Sequence, residues 1–287
     1  MILVCGATGT IGSRVVESLT AEGLPVRALV TRKRTAPSSP ESTVNYAVAD
    51  LLSPETLGPA LEGVEQVFLL TPNVAEQAQM ESNLIEAARR AGVKHVVKLS
   101  VMGADAGSRS YFSRLHGESE KRLEESGIAW THIRANMLMQ NLRWFREALS
   151  QGILPMPLGQ AVVSHVDAAD VARVISKVIA GTEHYRHVYT VTGPRALSGE
   201  EVASDLSSVL ASALGKPIQY VAISIDEFRA ALKQRNDPEF LINGECELFE
   251  DWKNGGGSEV TDVVLRLTGQ QPTSLLEFAG DNKSELG

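Results

Sequence analysis

Cysteine is nearly missing from this 287-residue chain. Cys5 and Cys246 stand alone, far apart and in no CxxC or metal-like spacing, which leaves nothing for a disulfide framework to work with and fits a reducing compartment. Excess positive charge is missing too: 35 acidic against 27 basic residues give a formal charge of −8, which disfavours the phosphate-backbone attraction that nucleic-acid binders use. The apolar run at the start has no basic leader and is broken at Gly6, too early for a signal peptide or a membrane span. There is no internal repeat, no Walker loop and no G-x-S-x-G elbow. The six histidines are scattered, and His184-x-x-His187 has no cysteine or acid cluster beside it, so no metal is expected. These absences point to a cytoplasmic protein, monomer or homodimer, with no nucleic-acid or membrane partner.

What is present is a chain with 43% hydrophobic residues, enough to bury a core as one large domain or two apposed parts. Up to about residue 135, short apolar runs alternate with amphipathic segments of helix length, the rhythm of a parallel βαβ sheet. The expected strands are 2–5, 26–30, 44–48, 66–70, 95–99 and 131–134; most are too continuously apolar for one face to meet water. Expected helices cover 11–22, 54–61, 76–91 and 113–126. In the third, Met80, Leu84, Ala87, Ala88 and Ala91 form an apolar stripe that Gly92 ends. This predicts a Rossmann-type doubly wound α/β sheet over residues 1–155, to which a helix within 161–182 returns. A smaller, mainly helical substrate region covers 183–287, with a short strand at 218–221. Gly255-Gly256-Gly257 reads as a flexible turn and residues 281–287 as a frayed tail.

The strongest motif is Gly6-Ala7-Thr8-Gly9-Thr10-Ile11-Gly12, which follows an apolar strand and opens a helix. Gly6 permits a tight turn, Gly9 close approach of a pyrophosphate, and Gly12 contact of helix with strand. The helix start adds free N–H groups and partial positive charge. Where an NAD-selective domain usually offers an acid to the adenosine ribose, this chain has Arg32, Lys33 and Arg34, and no carboxylate before Glu41. A guanidinium there can pair with a 2′-phosphate, so NADPH is the expected cofactor and NADH remains possible. Asp50, followed by Leu51, either hydrogen-bonds adenine or caps the next helix.

The glycine-rich turn, His116-x-x-x-Glu120, the stretch from Ser126 to Arg134, Met139-Gln140-Asn141 and the ending Leu267-Thr268-Gly269-x-x-Pro272 with Leu276-Glu277-Phe278-Ala279 together resemble the NmrA-like atypical short-chain dehydrogenase/reductases. The resemblance spans nearly the whole chain. It implies either a quinone, triphenylmethane-dye or azo-dye reductase, or a regulator that binds the dinucleotide without reducing anything. Ordinary short-chain dehydrogenases carry a Tyr-x-x-x-Lys pair, and none of the five tyrosines here has a lysine four residues on. In its place stand His116 and Glu120, one helical turn apart: either a carboxylate-poised imidazole that donates a proton, or a pair that only shapes the nicotinamide pocket. Ser100 ends a strand where related enzymes keep a serine beside the nicotinamide; a turn cap is the alternative.

Because ligands of open α/β sheets lie at the carboxyl ends of strands, Leu70, Thr71 and Pro72, then Ser100 and Val101, then Ala135 and Asn136 are expected along the cofactor. Met102, Tyr111, Phe112, Asn141, Trp144 and Phe145 form the expected substrate wall, suited to a flat aromatic or quinonoid acceptor, unless the aromatics are plain core. Asp167 and Asp170 read as helix caps. The expected activity is hydride transfer from nicotinamide to a quinone, dye or other conjugated acceptor without flavin. The alternatives are a non-catalytic redox sensor or a biosynthetic tailoring reductase or isomerase.

Overall fold

A computed structural model describes residues 1–31 and 44–287; Arg32, Lys33, Arg34 and Glu41 lie outside the described residues. The chain divides into two compact units. The first comprises Met1–Gly107, Arg114–Arg134 and Val171–Tyr189, and the second comprises Ser108–Ser113, Ala135–Asp170 and Thr190–Gly287. The departure from the first unit therefore falls at Ala135, earlier than the loop near residue 155 suggests. Its cause is local: the last sheet-forming residue is Ala135, and the 3₁₀ turn Met139–Phe145 that follows sends Met139, Leu142 and Phe145 into the second unit's core.

The first unit carries β1 (Ile2–Val4), β2 (Val26–Val30), β3 (Asn45–Val48), β4 (Gln66–Leu69), β5 (His95–Val101) and β6 (Ala129–Ala135). Between them run α1 (Thr10–Ala21), α2 (Leu57–Leu61), α3 (Gln77–Arg90) and α4 (Tyr111–Glu125). Strands β1 to β5 pair in parallel, with Leu3 opposite both Arg27 and Val67. With β9 (His187–Val191) the sheet has seven strands in the order β3-β2-β1-β4-β5-β6-β9, so the strand order reverses direction at β1. That reversal opens a crevice at the carboxyl ends of β1 and β4, where open α/β sheets hold ligands. Leu3, Val67, Leu69, Leu84, Ala88 and Leu123 fill the core between sheet and helices. The α3 stripe is largely as expected, with Leu84, Ala87 and Ala88 buried and Met80 half-buried; Ala91 is exposed, and Ile85, Gln77 and Glu81 complete the buried face.

The second unit adds α5 (Arg146–Ser150), β7 (Ile153–Met156), β8 (Val162–Val163), then, after α6 (Ala168–Ala180) leads back to β9, β10 (Leu197–Ser198), α7 (Gly199–Leu214) and β11 (Gln219–Ala222). Helices α8 (Ile225–Gln234), α9 (Glu239–Lys253), α10 (Val263–Thr268), α11 (Leu275–Asp281) and α12 (Lys283–Leu286) finish the chain. Two small sheets, β7 with β11 in parallel and β8 with β10 antiparallel, are built on positions expected to be loop or helix, apart from the short strand at 218–221. Capping boxes start α7, α8 and α11, at Ser198/Glu201, Ser224/Glu227 and Ser274/Glu277. The tail is not frayed: Leu286 is fully buried in this unit's core, Arg143 pairs with Glu285, and Arg146 donates to the Gly287 carbonyl at 3.0 Å. Of the two expected caps on α6, Asp167 accepts from the Ala169 N–H at 3.0 Å, whereas Asp170 holds the Thr273 N–H at 2.7 Å instead.

Candidate functional site

The glycine-rich turn takes the shape its residues dictate. Gly6 has φ +61°, a left-handed conformation that a side chain would strain. A Cβ on Gly12 would lie 2.1 Å from the Gly6 carbonyl oxygen, so α1 can pass this close to β1 only with glycine there. Gly9 is different. It is the N-cap of α1 with φ −88° and ψ 178°, open to any residue, and an added Cβ would meet only the Gly6 oxygen at 3.4 Å. Protein packing gives no reason for glycine at that position; close approach of a ligand does.

No side chain caps α1 and its first turn holds no acid. Among the described residues, then, no side chain takes the N–H groups of that turn, which lies beside exposed Thr8, Gly9 and Thr10. Next to them lies a cavity of about 370 Å³ lined by Gly6, Thr8, Leu29, Thr31, Leu51, Leu70 and Pro72, at the ends of β1 to β4. Further along, near the end of β5, the buried Ser100 hydroxyl has no hydrogen-bond partner among the described residues. A buried orphan hydroxyl at a strand end is a group that a ligand satisfies. Anion-binding helix start, cavity and orphan hydroxyl together fit a dinucleotide laid across the strand ends.

Several expected residues are otherwise engaged. Asp50 accepts from the Leu52 N–H at 2.9 Å, so one of its oxygens caps the local turn. The Thr71 hydroxyl donates to Glu81 at 2.7 Å, which leaves its oxygen only as an acceptor for a cofactor. Asn136 spends its amide on Ser164 and the Gly257 carbonyl, both at 2.9 Å. Val101 accepts from the Ala104 N–H at 3.1 Å and Met102 is buried. Of the expected substrate wall, Phe145 belongs to the second unit's core and buried Phe112 packs where Gly244 leaves room. Tyr111 and Asn141 are half-buried, and Trp144 is exposed.

The His116–Glu120 pairing is corrected. Glu120 is held bidentately by Arg134 at 3.0 and 2.5 Å, because the guanidinium on β6 offers a planar fork that an imidazole one turn away cannot match. His116 turns instead to Lys98, with Nζ and Nδ1 3.1 Å apart. Burial, then the Lys98 charge, push its pKa down to about 3, against the pull of Glu81. It is therefore neutral at neutral pH and no imidazolium acid. Glu120, Glu124 and His132 converge within 4.8 Å, but Arg134 takes both oxygens of Glu120, and the group is an ion-pair network.

Sequence reasoning missed Lys98 and Glu81, fully buried and 3.0 Å apart. The signals were a lysine inside an apolar strand and an acid on the stripe of α3, four residues before Ile85. It also missed Glu245 on α9, whose carboxyl burial raises to about 7, Arg235 opposing and Asp237 adding to the rise. Nothing in the spacing around Glu245 marks it.

The fold is of the Rossmann type, and the lining of the crevice fits a nicotinamide dinucleotide. The sequence profile of the NmrA-like family matches residues 1–279, and the chain belongs to that family. It is 40% identical to the NAD(P)H azoreductase of Xenophilus azovorans over 288 aligned positions, covering 100% of this chain and 99% of the relative. The structure of the NADPH-dependent quinone oxidoreductase of Escherichia coli, complexed with NADPH, superposes with a TM-score of 0.88 at 29% identity, covering 98% and 99% of the two chains. The triphenylmethane reductase of Citrobacter sp. shares the fold at 23% identity, with a TM-score of 0.86 and coverage of 98% and 99%.

Proposed function

We propose that the protein is a nicotinamide-dependent reductase that delivers hydride to a quinone, an azo dye or another conjugated acceptor, with NADPH as its preferred donor. The observation that carries this reading is the uncapped start of α1 at Gly9, open to a ligand and to little else. Whole-length identity with an azoreductase supports the choice of acceptor. Arg32 and Lys33, in the sequence just past β2, support the 2′-phosphate.

When bound, the dinucleotide supplies a hydride at nicotinamide C4. The chain's residues do the rest. The first-turn N–H groups of α1, including those of Thr10, Ile11 and Gly12, bind the pyrophosphate. Leu51 and Leu70 flank the adenosine end, and Asp50 turns its second oxygen to adenine. Pro72, Val101, Ala135 and the backbone of Thr71 bound the path of the cofactor. Ser100 donates its free hydroxyl at the nicotinamide end. His116 presents its remaining N–H as the group that polarises and protonates the acceptor as hydride arrives.

The missing Tyr-x-x-x-Lys pair favours a second reading, a sensor that binds the dinucleotide without turnover. Oxidation of NADPH and NADH in the presence of quinones, azo dyes, triphenylmethane dyes and enones separates the two. Turnover on one acceptor class supports the reductase. Tight binding of dinucleotide with no turnover on any of them supports the sensor.

A further inference from the structure

We infer that Lys98 is the positioning residue that makes His116 a proton donor: its ammonium holds Nδ1, so the imidazole presents Nε2–H to the acceptor and is reprotonated from behind. The inference rests on the reductase reading for its chemistry, and on the first unit alone for its geometry.

Lys98 lies on β5 with its side chain fully buried. Its three N–H donors meet three acceptors: Glu81 at 3.2 Å, the Leu99 carbonyl at 3.1 Å and Nδ1 of His116 at 3.1 Å. An ammonium cannot accept, so Nδ1 must. The imidazole proton is thereby fixed on Nε2, which has no partner among the described residues. By strand alternation Lys98 shares a face of β5 with Ser100, whose orphan hydroxyl marks the ligand end.

Glu81, from α3, sets a carboxylate against the lysine, 3.0 Å away. It accepts from Thr71 at 2.7 Å, from Gln77 at 3.3 Å and from Ser119 of α4. Burial alone would raise its carboxyl; the charge of Lys98 first, then His116 and the Ser119 and Thr71 hydroxyls, hold it at about 2. Lys98 and Glu81 are thus the charged groups facing His116 from β5 and α3. Glu120 of α4 and Arg134 of β6 pair with each other.

The arrangement solves a chemical problem. A neutral imidazole that gives up its Nε2 proton becomes an anion unless Nδ1 gains one in the same event. Here hydride reduces the acceptor while the nicotinamide is oxidised. The developing oxyanion or nitrogen anion takes the Nε2 proton, and Nδ1 takes a proton from Nζ. His116 ends neutral as the opposite tautomer, Lys98 ends as an amine, and Glu81 stays a carboxylate. Water returns one proton to the pair after product leaves.

Two measurements test this. The ¹⁵N chemical shifts of His116 in the wild-type protein at neutral pH should show a neutral ring protonated on Nε2, with Nδ1 accepting. A ring protonated on Nδ1, or on both nitrogens, overturns the inference whether or not any acceptor is reduced. The second measurement uses K98M/E81Q, which removes both charges and avoids leaving a lone buried carboxylate. This variant should bind NADPH within about twofold of wild type with an unchanged KM for acceptor, while kcat falls about 10²- to 10³-fold. Lys98→Arg, which still donates to Nδ1 but holds its proton too tightly to release it, should keep the Nε2–H tautomer and lose kcat. Wild-type kcat in K98M/E81Q overturns the relay. The predicted tautomer with no turnover on any acceptor overturns the reductase reading, and the relay with it, while the placement of the proton stands.

Discussion

Gly9→Asp separates ligand binding from folding because the two effects have opposite signs. At φ −88° and ψ 178°, Gly9 already has N-cap geometry, and no side chain caps the helix. Asp is among the best N-cap residues and glycine is a few tenths of a kcal/mol poorer, so the fold should gain about that much. For a domain of this size the gain appears as a rise in melting temperature of about 1 °C. Room is available, since the new Cβ meets only the Gly6 oxygen at 3.4 Å. The carboxylate achieves this by accepting from the same first-turn N–H groups that would hold the pyrophosphate, and it adds repulsion. Losing two charge-assisted hydrogen bonds at about 1.5 to 3 kcal/mol each raises Kd by roughly 10²- to 10⁴-fold. Calorimetric titration with NADPH, beside a thermal melt, reads both signs. Wild-type affinity in a protein that melts as expected would refute the placement of the phosphates at α1.

Gly12→Ala should behave in the opposite way, unfolding at lower denaturant, by about 1 to 3 kcal/mol, because its Cβ would sit 2.1 Å from the Gly6 oxygen; an unchanged urea midpoint contradicts this. Arg32→Ala should weaken NADPH more than NADH by roughly 1.5 to 3 kcal/mol, and equal weakening of both removes the 2′-phosphate contact. Acid should destabilise the fold in two overlapping windows. His116, at about 3 when folded against 6.5 when free, contributes stability that is complete above 6.5 and is lost as pH falls toward 3. Glu81, at about 2 against 4.5, adds a loss between 4.5 and 2. Melting temperature against pH should therefore fall steadily below neutrality and fall less steeply in His116→Gln; identical slopes for variant and wild type would contradict the assignment.

The sheet was legible because parallel strands buried on both faces leave unbroken apolar runs, and β1, β2 and β4 fall within a residue of where those runs lie. The glycine turn was legible because Gly6 takes a left-handed φ and Gly12 lies too close to the Gly6 carbonyl for a side chain. What periodicity could not show was pairing between distant elements. His116 and Glu120 share a face of α4, yet each finds a better partner on a strand: Lys98 on β5 and Arg134 on β6. Local spacing fixes which side chains are neighbours on one helix, not which charges arrive from the sheet. The short strands β7 and β8 were missed for a related reason: with four and two residues they carry too little pattern, and partners remote in sequence, β11 and β10, hold them.

Hydride transfer by this chain can be followed by single-turnover mixing of the protein loaded with NADPH deuterated at C4 against a quinone or an azo dye. Loss of nicotinamide absorbance is followed and the product is analysed by mass spectrometry. Oxidation is expected at a saturable rate, with a primary isotope effect and with deuterium in the reduced product wherever the new bond does not exchange with water. Bound NADPH that stays reduced across the panel, or oxidation at the same rate without protein, would contradict it.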